Sequence, residues 1–165
     1  MELGFTSPLQ QERGTIARVL NQSYAGLVQA EPDLWEPEKK NWEEFDQEVF
    51  DSPQTVGACT FLSWCGQDIA GLFSFDPRLR PTYGVIGHNC ILPEYRNQGF
   101  GKQQIAEILA HFRRLGISQA RVSTNDHPFF VPAQRMYTAC GFTQIKRLPW
   151  DRDPRLNMIH YQKAL

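Results

Sequence analysis

Arg96-Asn97-Gln98-Gly99-Phe100-Gly101-Lys102 joins a run of β-formers, Tyr83 to Leu92, to a stretch whose apolar residues Ile105, Ile108, Leu109, Phe112 and Leu115 share one face. The spacing predicts a strand over 83–92 and an amphipathic helix over 101–115 that Gly116 stops. Residues 117–124 read as a short strand. Strand, helix and strand form a βαβ unit, which requires parallel strands and a right-handed crossover. The loop itself sits where strand turns into helix. A helix start offers N–H groups without intrahelical partners and the positive end of the macrodipole. Gly99 and Gly101 let an anion approach that backbone, and Arg96 and Lys102 add positive charge, so the loop suits a polyphosphate.

Two common phosphate loops are excluded. The nucleoside-triphosphate loop G-x-x-x-x-G-K-[ST] fails because Arg96 stands at the upstream glycine and Gln103 at the hydroxyl position. The dinucleotide fingerprint G-x-G-x-x-G fails because Gln104 replaces the third glycine.

Upstream, Ile16, Val19, Leu20, Tyr24, Leu27 and Val28 mark a helix over 14–28. Pro32 and Pro37 bracket a turn, and a second helix over 38–50 carries Trp42, Phe45, Val49 and Phe50. Residues 56–65 and 69–75 read as two strands about a Gly66-Gln67-Asp68 turn. Downstream come a helix near 132–140 ended by Gly141, a strand over 142–147, the loop Pro149 to Pro154 and a strand near 157–163. One α/β domain of mixed sheet, residues 1–165, accounts for this order.

The 165 residues are 41% hydrophobic with a formal net charge of −1, so no global field recruits nucleic acid or an anionic membrane. No apolar run spans a bilayer, and Met1-Glu2-Leu3-Gly4-Phe5 has no signal-peptide pattern, so a soluble cytoplasmic protein is expected. Cys59, Cys65, Cys90 and Cys140 form no C-x-x-C pair and have no histidines at zinc spacing, so they read as buried thiols and no metal is expected.

The segment Ile91-Leu92-Pro93-Glu94-Tyr95-Arg96-Asn97-Gln98-Gly99-Phe100-Gly101-Lys102 resembles the acetyl-CoA signature of the Gcn5-related N-acetyltransferase (GNAT) superfamily. At the expected distance, Ala133-Gln134-Arg135-Met136-Tyr137-Thr138-Ala139-Cys140-Gly141-Phe142 resembles its A-x-x-x-Y-x-x-x-G-F segment. The resemblance implies a single-domain GNAT-like α/β (α+β) fold. Its mixed, mostly antiparallel sheet would hold two splayed central parallel strands, here 83–92 and 117–124, flanked by helices.

It further implies acetyl-CoA as co-substrate. Backbone groups of Cys90, Ile91 and Leu92 would bond the pantetheine arm, and Gly84 or Gly87 would suit the bulge that opens the strands. The amides from Gln98 through Gly99, Phe100 and Gly101 to Lys102, with Arg96 and Asn97, would hold the pyrophosphate. Tyr137 matches the superfamily's general acid. The residue-level alternative is that Tyr137 packs its ring beside Phe142. His88, which projects with Cys90 from one side of its strand, is the candidate base, with Asp126 and His127 as others. Cys90 as an acyl carrier has no nameable activating base. Many relatives carry an Asn one helical turn before the A-x-x-x-Y alanine; here that position is Phe130, and Asn125 lies five residues earlier.

The acceptor would be a small-molecule or peptide amine, with no nucleic acid or membrane partner; a homodimer is allowed. An aromatic and acidic lining from Trp35, Trp42, Phe45, Phe50 and Trp150 with Glu31, Asp33, Glu43, Glu44, Asp46, Asp151 and Asp153 would suit a cation. The reaction would be direct attack of the amine in a ternary complex. The rival reading is a non-catalytic acyl-CoA-binding sensor or interaction module of the same fold.

Overall fold

The computed structural model describes residues 1–165. Its strands are β1 (Gly4–Thr6), β2 (Thr60–Cys65), β3 (Asp68–Asp76), β4 (Gly84–Ile91), β5 (Gln119–Asn125), β6 (Thr143–Pro149) and β7 (Asn157–Ala164). The helices are α1 (Thr15–Ala30), α2 (Pro32–Trp35), α3 (Glu38–Asp51), α4 (Phe100–Arg114) and α5 (Val131–Ala139). The strands form one seven-stranded sheet in the order β1-β2-β3-β4-β5-β7-β6. β1–β2, β2–β3, β5–β7 and β6–β7 are antiparallel, and β4–β5 is the parallel pair that the βαβ reading requires. The fold is the expected mixed, mostly antiparallel α/β arrangement with helices.

Three local expectations change. Residues 57–59 form a 3-10 turn before β2, with Thr60 Oγ1 donating to the Val56 carbonyl at 2.8 Å, so the strand starts later than β-propensity suggests. The turn between Pro32 and Pro37 contains the short helix α2, whose first position suits a proline. The three-residue β1 was not foreseen; it adds to β2 from Gly4 opposite Trp64 to Thr6 opposite Leu62.

The chain forms two compact units, residues 1–74 with 88–104 and residues 75–87 with 105–165. In the first, α1 packs on α3, burying Ile16, Val19, Leu20 and Leu27 together with Trp42 and Val49. Asp46 of α3 is 3% exposed, and its carboxylate accepts from the N–H of Gly14 at 2.8 Å and of Ala17 at 3.1 Å. It therefore caps the N-terminus of α1 from another helix, where a carboxylate also meets the favourable end of the dipole. The β2–β3 ladder is in register from Thr60–Ser74 to Ser63–Gly71, then resumes at Trp64–Ile69, leaving Ala70 as a bulge.

In the second unit, β5 and β7 pair over seven rungs from Gln119–Ala164 to Asn125–Met158. Gly84 lies under α4, where a Cβ would come 2.7 Å from the fully buried ring of Phe112. Its lack of a side chain thus serves helix–strand packing rather than a bulge. The parallel ladder holds two rungs, Gly84–Ala120 and Val85–Arg121, and β4 runs on past it through Ile86 and Gly87.

Candidate functional site

The loop after β4 is built by backbone conformation. A 3-10 turn over Pro93–Tyr95 follows Leu92, and then Asn97 (φ 61°) and Gly99 (φ 80°) both adopt the left-handed conformation. Asn tolerates that region better than most residues and Gly adopts it freely. The bond from Gln103 N–H to the Gly99 carbonyl, 3.3 Å, starts the α4 ladder, so the amides of Phe100, Gly101 and Lys102 precede it without an intrahelical acceptor. Residues 97–99 are exposed, and a Cβ on Gly99 would meet nothing within 4 Å. The Phe100 side chain is buried with Leu3 and Ala70, which fixes this helix start to the sheet.

Arg96 does not aim its charge at the loop. Its Nε donates to the Ile91 carbonyl at 3.0 Å and its Nη2 to the Ser23 carbonyl of α1. The guanidinium thereby ties the loop's first residue to the end of β4 and to α1. Lys102, exposed, is the cation left beside the amides.

The expected backbone contacts on β4 are also redistributed. The Leu92 N–H donates to the bulged Ala70 carbonyl at 2.8 Å, its own carbonyl accepts from Tyr95 N–H at 2.9 Å, and the Ile91 carbonyl is held by Arg96. The Cys90 carbonyl accepts from Gln104 Nε2 at 3.2 Å and lies over Gly71, where no side chain could fit. Of the three residues, Ile91 retains an N–H that points away from this crowded side, because carbonyl and amide of one trans peptide face opposite ways. Gly71 and Gln104 were missed from sequence. The available signal was a polar residue inside the apolar Phe100–Gln104–Ile108 stripe of α4.

In the second unit, α5 ends in a Schellman-type cap. Gly141 (φ 85°) donates to Thr138 and Phe142 to the Tyr137 carbonyl, both at 3.0 Å. Tyr137 is 5% exposed, its ring 5.9 Å from Phe142 and 5.7 Å from Tyr161. The packing alternative is thus realised for the ring. Asn125 is buried; its Oδ1 accepts from His127 N–H at 2.8 Å, while Nδ2 has only the Met158 sulfur at 3.8 Å. His127 Nδ1 caps the 3-10 turn at Pro128–Phe130, accepting from Phe129 N–H at 3.1 Å. Asp126 accepts from Asn157 N–H and Nδ2, at 2.7 and 2.8 Å, and from Arg147. Burial pushes its carboxyl up, but those bonds outweigh it and hold the carboxyl below the ordinary range. Neither residue is placed as a base.

His88 lies in the first unit, its ring centroid 4.5 Å from that of Phe45. Burial lowers its pKa from 6.5 to about 4, so the imidazole is neutral at physiological pH. The folded chain disfavours the proton that the unfolded chain accepts near 6.5. The stabilisation is therefore complete above that pH and is lost as pH falls toward 4. Urea midpoints should decline across this window, and by less in His88→Gln; equal declines would remove His88 as the cause. Burial also pushes the Cys90 thiol up, which argues against a thiolate nucleophile.

Part of the expected acceptor lining is structural. Trp35 and Trp42 are buried, the latter stacked on Tyr24 at 5.3 Å, and Asp46 caps α1. Asp153 is held by the Arg155 fork and backbone, which lower its pKa to about 2. The Arg152 guanidinium already sits 5.3 Å over the Trp150 ring.

No helix is long and apolar enough to cross a membrane. Comparison with known structures finds the same fold in a protein assigned to the GNAT family from Desulfovibrio desulfuricans, 18% identical with a TM-score of 0.79 over 98% of both chains. An acetyltransferase from Thermus thermophilus is 15% identical with a TM-score of 0.71 over 100% of this chain and 98% of that one. A GNAT family acetyltransferase from Elizabethkingia anophelis, solved with acetyl-CoA bound, is 14% identical with a TM-score of 0.54 over 64% of this chain and 75% of its own. No curated protein matches the sequence. The acetyltransferase (GNAT) family profile matches residues 24–142, which contain the helix-start loop, β4 and Tyr137, and the chain belongs to that family.

Proposed function

We propose that this chain transfers an acetyl group from acetyl-CoA to an amine by direct attack. The observation that carries the reading is the exposed α4 start, where Asn97 and Gly99 in left-handed conformation precede the partnerless amides of Phe100, Gly101 and Lys102. These amides, with Gln98 and Gly99, are assigned to the pyrophosphate and Lys102 to its charge. At the edge of β4 the Ile91 N–H is assigned to the acetyl end of the pantetheine arm, Cys90 and Leu92 being engaged within the protein, and Asn125 Nδ2 is assigned to a pantetheine carbonyl. Arg96 holds the loop in shape rather than touching phosphate.

In the proposed reaction the amine nitrogen bonds to the thioester carbon, and the Ile91 N–H steadies the oxyanion. The C–S bond then breaks, and the thiolate takes the proton of the Tyr137 hydroxyl, which solvent replaces. The neutral fraction of the amine attacks, its ammonium proton having gone to solvent; His88 is too weak a base to remove that proton. It is assigned to the nitrogen proton only after bond formation has acidified it. The high-pKa thiol of Cys90 favours this route over an acyl-enzyme.

Three observations favour binding without turnover: His88 is a weak base, His127 is a cap and Asp126 is ion-paired. A thiol-release screen with acetyl-CoA against small amines, polyamines, aminoglycosides and peptides separates the readings. Acceleration by at least one amine is expected. Binding of acetyl-CoA with no acceleration across the panel would give the binding-module reading.

A further inference from the structure

Gln104 is fully buried on α4, on the face that also carries Phe100 and Ile108. A leucine there would complete the apolar stripe and leave no orphan amide oxygen. Instead the amide places both N–H groups in defined positions. Nε2 donates to Ser63 Oγ of β2 at 2.8 Å and to the Cys90 carbonyl of β4 at 3.2 Å. Its Oε1 is buried with no hydrogen-bond partner. Turning the amide over would set two oxygens against each other at Cys90, so the orientation is fixed by its acceptors. A buried orphan oxygen is costly, and the structure keeps it in order to keep the two donors.

The peptide that receives one of them is unusual. The Cys90 carbonyl lies where a side chain on Gly71 would be, beside the Ala70 bulge. The Cys90–Ile91 bond is trans, the one cis peptide in the chain being Arg80–Pro81. The Ile91 N–H therefore points opposite to that carbonyl, away from Gly71 and Gln104. A hydrogen bond at the carbonyl end of a peptide draws electron density from its nitrogen and makes its N–H a stronger donor.

We propose that Gln104, oriented by Ser63, polarises the Cys90–Ile91 peptide and thereby strengthens the Ile91 N–H as the donor to the acetyl thioester carbonyl. This rests on the acetyl-transfer reading for its last step only. Gln104 is a positioning residue: it acts through Ile91 and touches no substrate.

The test compares the full chain with Gln104→Met, which keeps length and volume without the donors, and Gln104→Glu, which donates only while protonated. In the protein without acetyl-CoA, the Ile91 amide proton should move upfield in Gln104→Met. In Gln104→Glu it should titrate, near the wild-type position at low pH and at or upfield of Gln104→Met at high pH, where the carboxylate repels the carbonyl oxygen. With acetyl-CoA carrying a ¹³C carbonyl, the bound carbonyl stretch should lie at lower frequency in wild type than in Gln104→Met. Thiol release should be about fivefold slower in that variant, with acetyl-CoA affinity by calorimetry within about twofold of wild type.

An Ile91 amide shift equal in wild type and both variants overturns the proposal, as does an unchanged carbonyl stretch with acetyl-CoA bound. If Gln104→Met does not fold, the titration of Gln104→Glu decides alone: a pH-independent Ile91 shift overturns it. Absence of acetyl-CoA binding by wild type would instead defeat the acetyl-transfer reading, while the Ile91 amide would still report the polarisation.

Discussion

Gly71→Ala should destabilise the chain by on the order of 3 kcal/mol, whereas the same change at Gly26 should stabilise it by about 0.5–1 kcal/mol. A Cβ at Gly71 would fall on the Cys90 carbonyl oxygen, with that residue's carbon and the Ile91 Cα at 3.1 Å. These are backbone atoms of a buried strand, which cannot swing aside as a side chain tip would. Gly26 lies exposed within α1, and a Cβ there meets nothing within 4 Å. Helix propensity and the reduced freedom of the unfolded chain then both favour alanine. In thermal unfolding the Gly71 change should lower the midpoint by about 6–12 °C for a chain of this size. Because β4 must shift to relieve the clash, acetyl-CoA binding should weaken as well. A Gly71→Ala protein with the midpoint and affinity of wild type would contradict the packing described at Cys90.

Tyr137→Phe should slow acetyl transfer about a hundredfold while leaving acetyl-CoA affinity within about twofold, the usual size of a lost general acid. The substitution keeps the ring against Phe142 and Tyr161, so the packing that fixes α5 is retained. What is lost is the hydroxyl proposed to protonate the departing thiolate. The rate deficit should shrink with a thioester whose thiol has a lower pKa, since such a leaving group needs less protonation. Steady-state kinetics with the amine found in the thiol-release screen make the measurement. A rate equal to wild type would reduce Tyr137 to a packing residue.

Sequence periodicity was enough to read the βαβ unit, its parallel pairing and both long helices of the first fifty residues, because each rests on local spacing. The helix-start loop was legible for the same reason, from Gly99 and Gly101 at the turn of strand into helix, whereas the left-handed Asn97 was not read from the sequence. The direction of Arg96 was not legible, since one of its two carbonyl partners, Ser23, is 73 residues away. The role of Asp46 was hidden in the same way. On α3 it looked like one more acid for a cationic acceptor, and its partners are the amides of Gly14 and Ala17. Gly71 and Gln104 act on a single carbonyl from a strand and a helix, which no spacing rule connects. The short β1 lacks the length for a pattern and depends on its register with β2.

Calorimetric titration of acetyl-CoA into wild type and Gly101→Trp tests whether the α4 start holds acetyl-CoA through its backbone amides. Wild type should bind one acetyl-CoA per chain. Gly101→Trp, with an indole projecting at the helix start, should lose at least tenfold in affinity while staying folded by circular dichroism. No binding heat from folded wild type, or equal affinity in the two proteins, would contradict that binding mode.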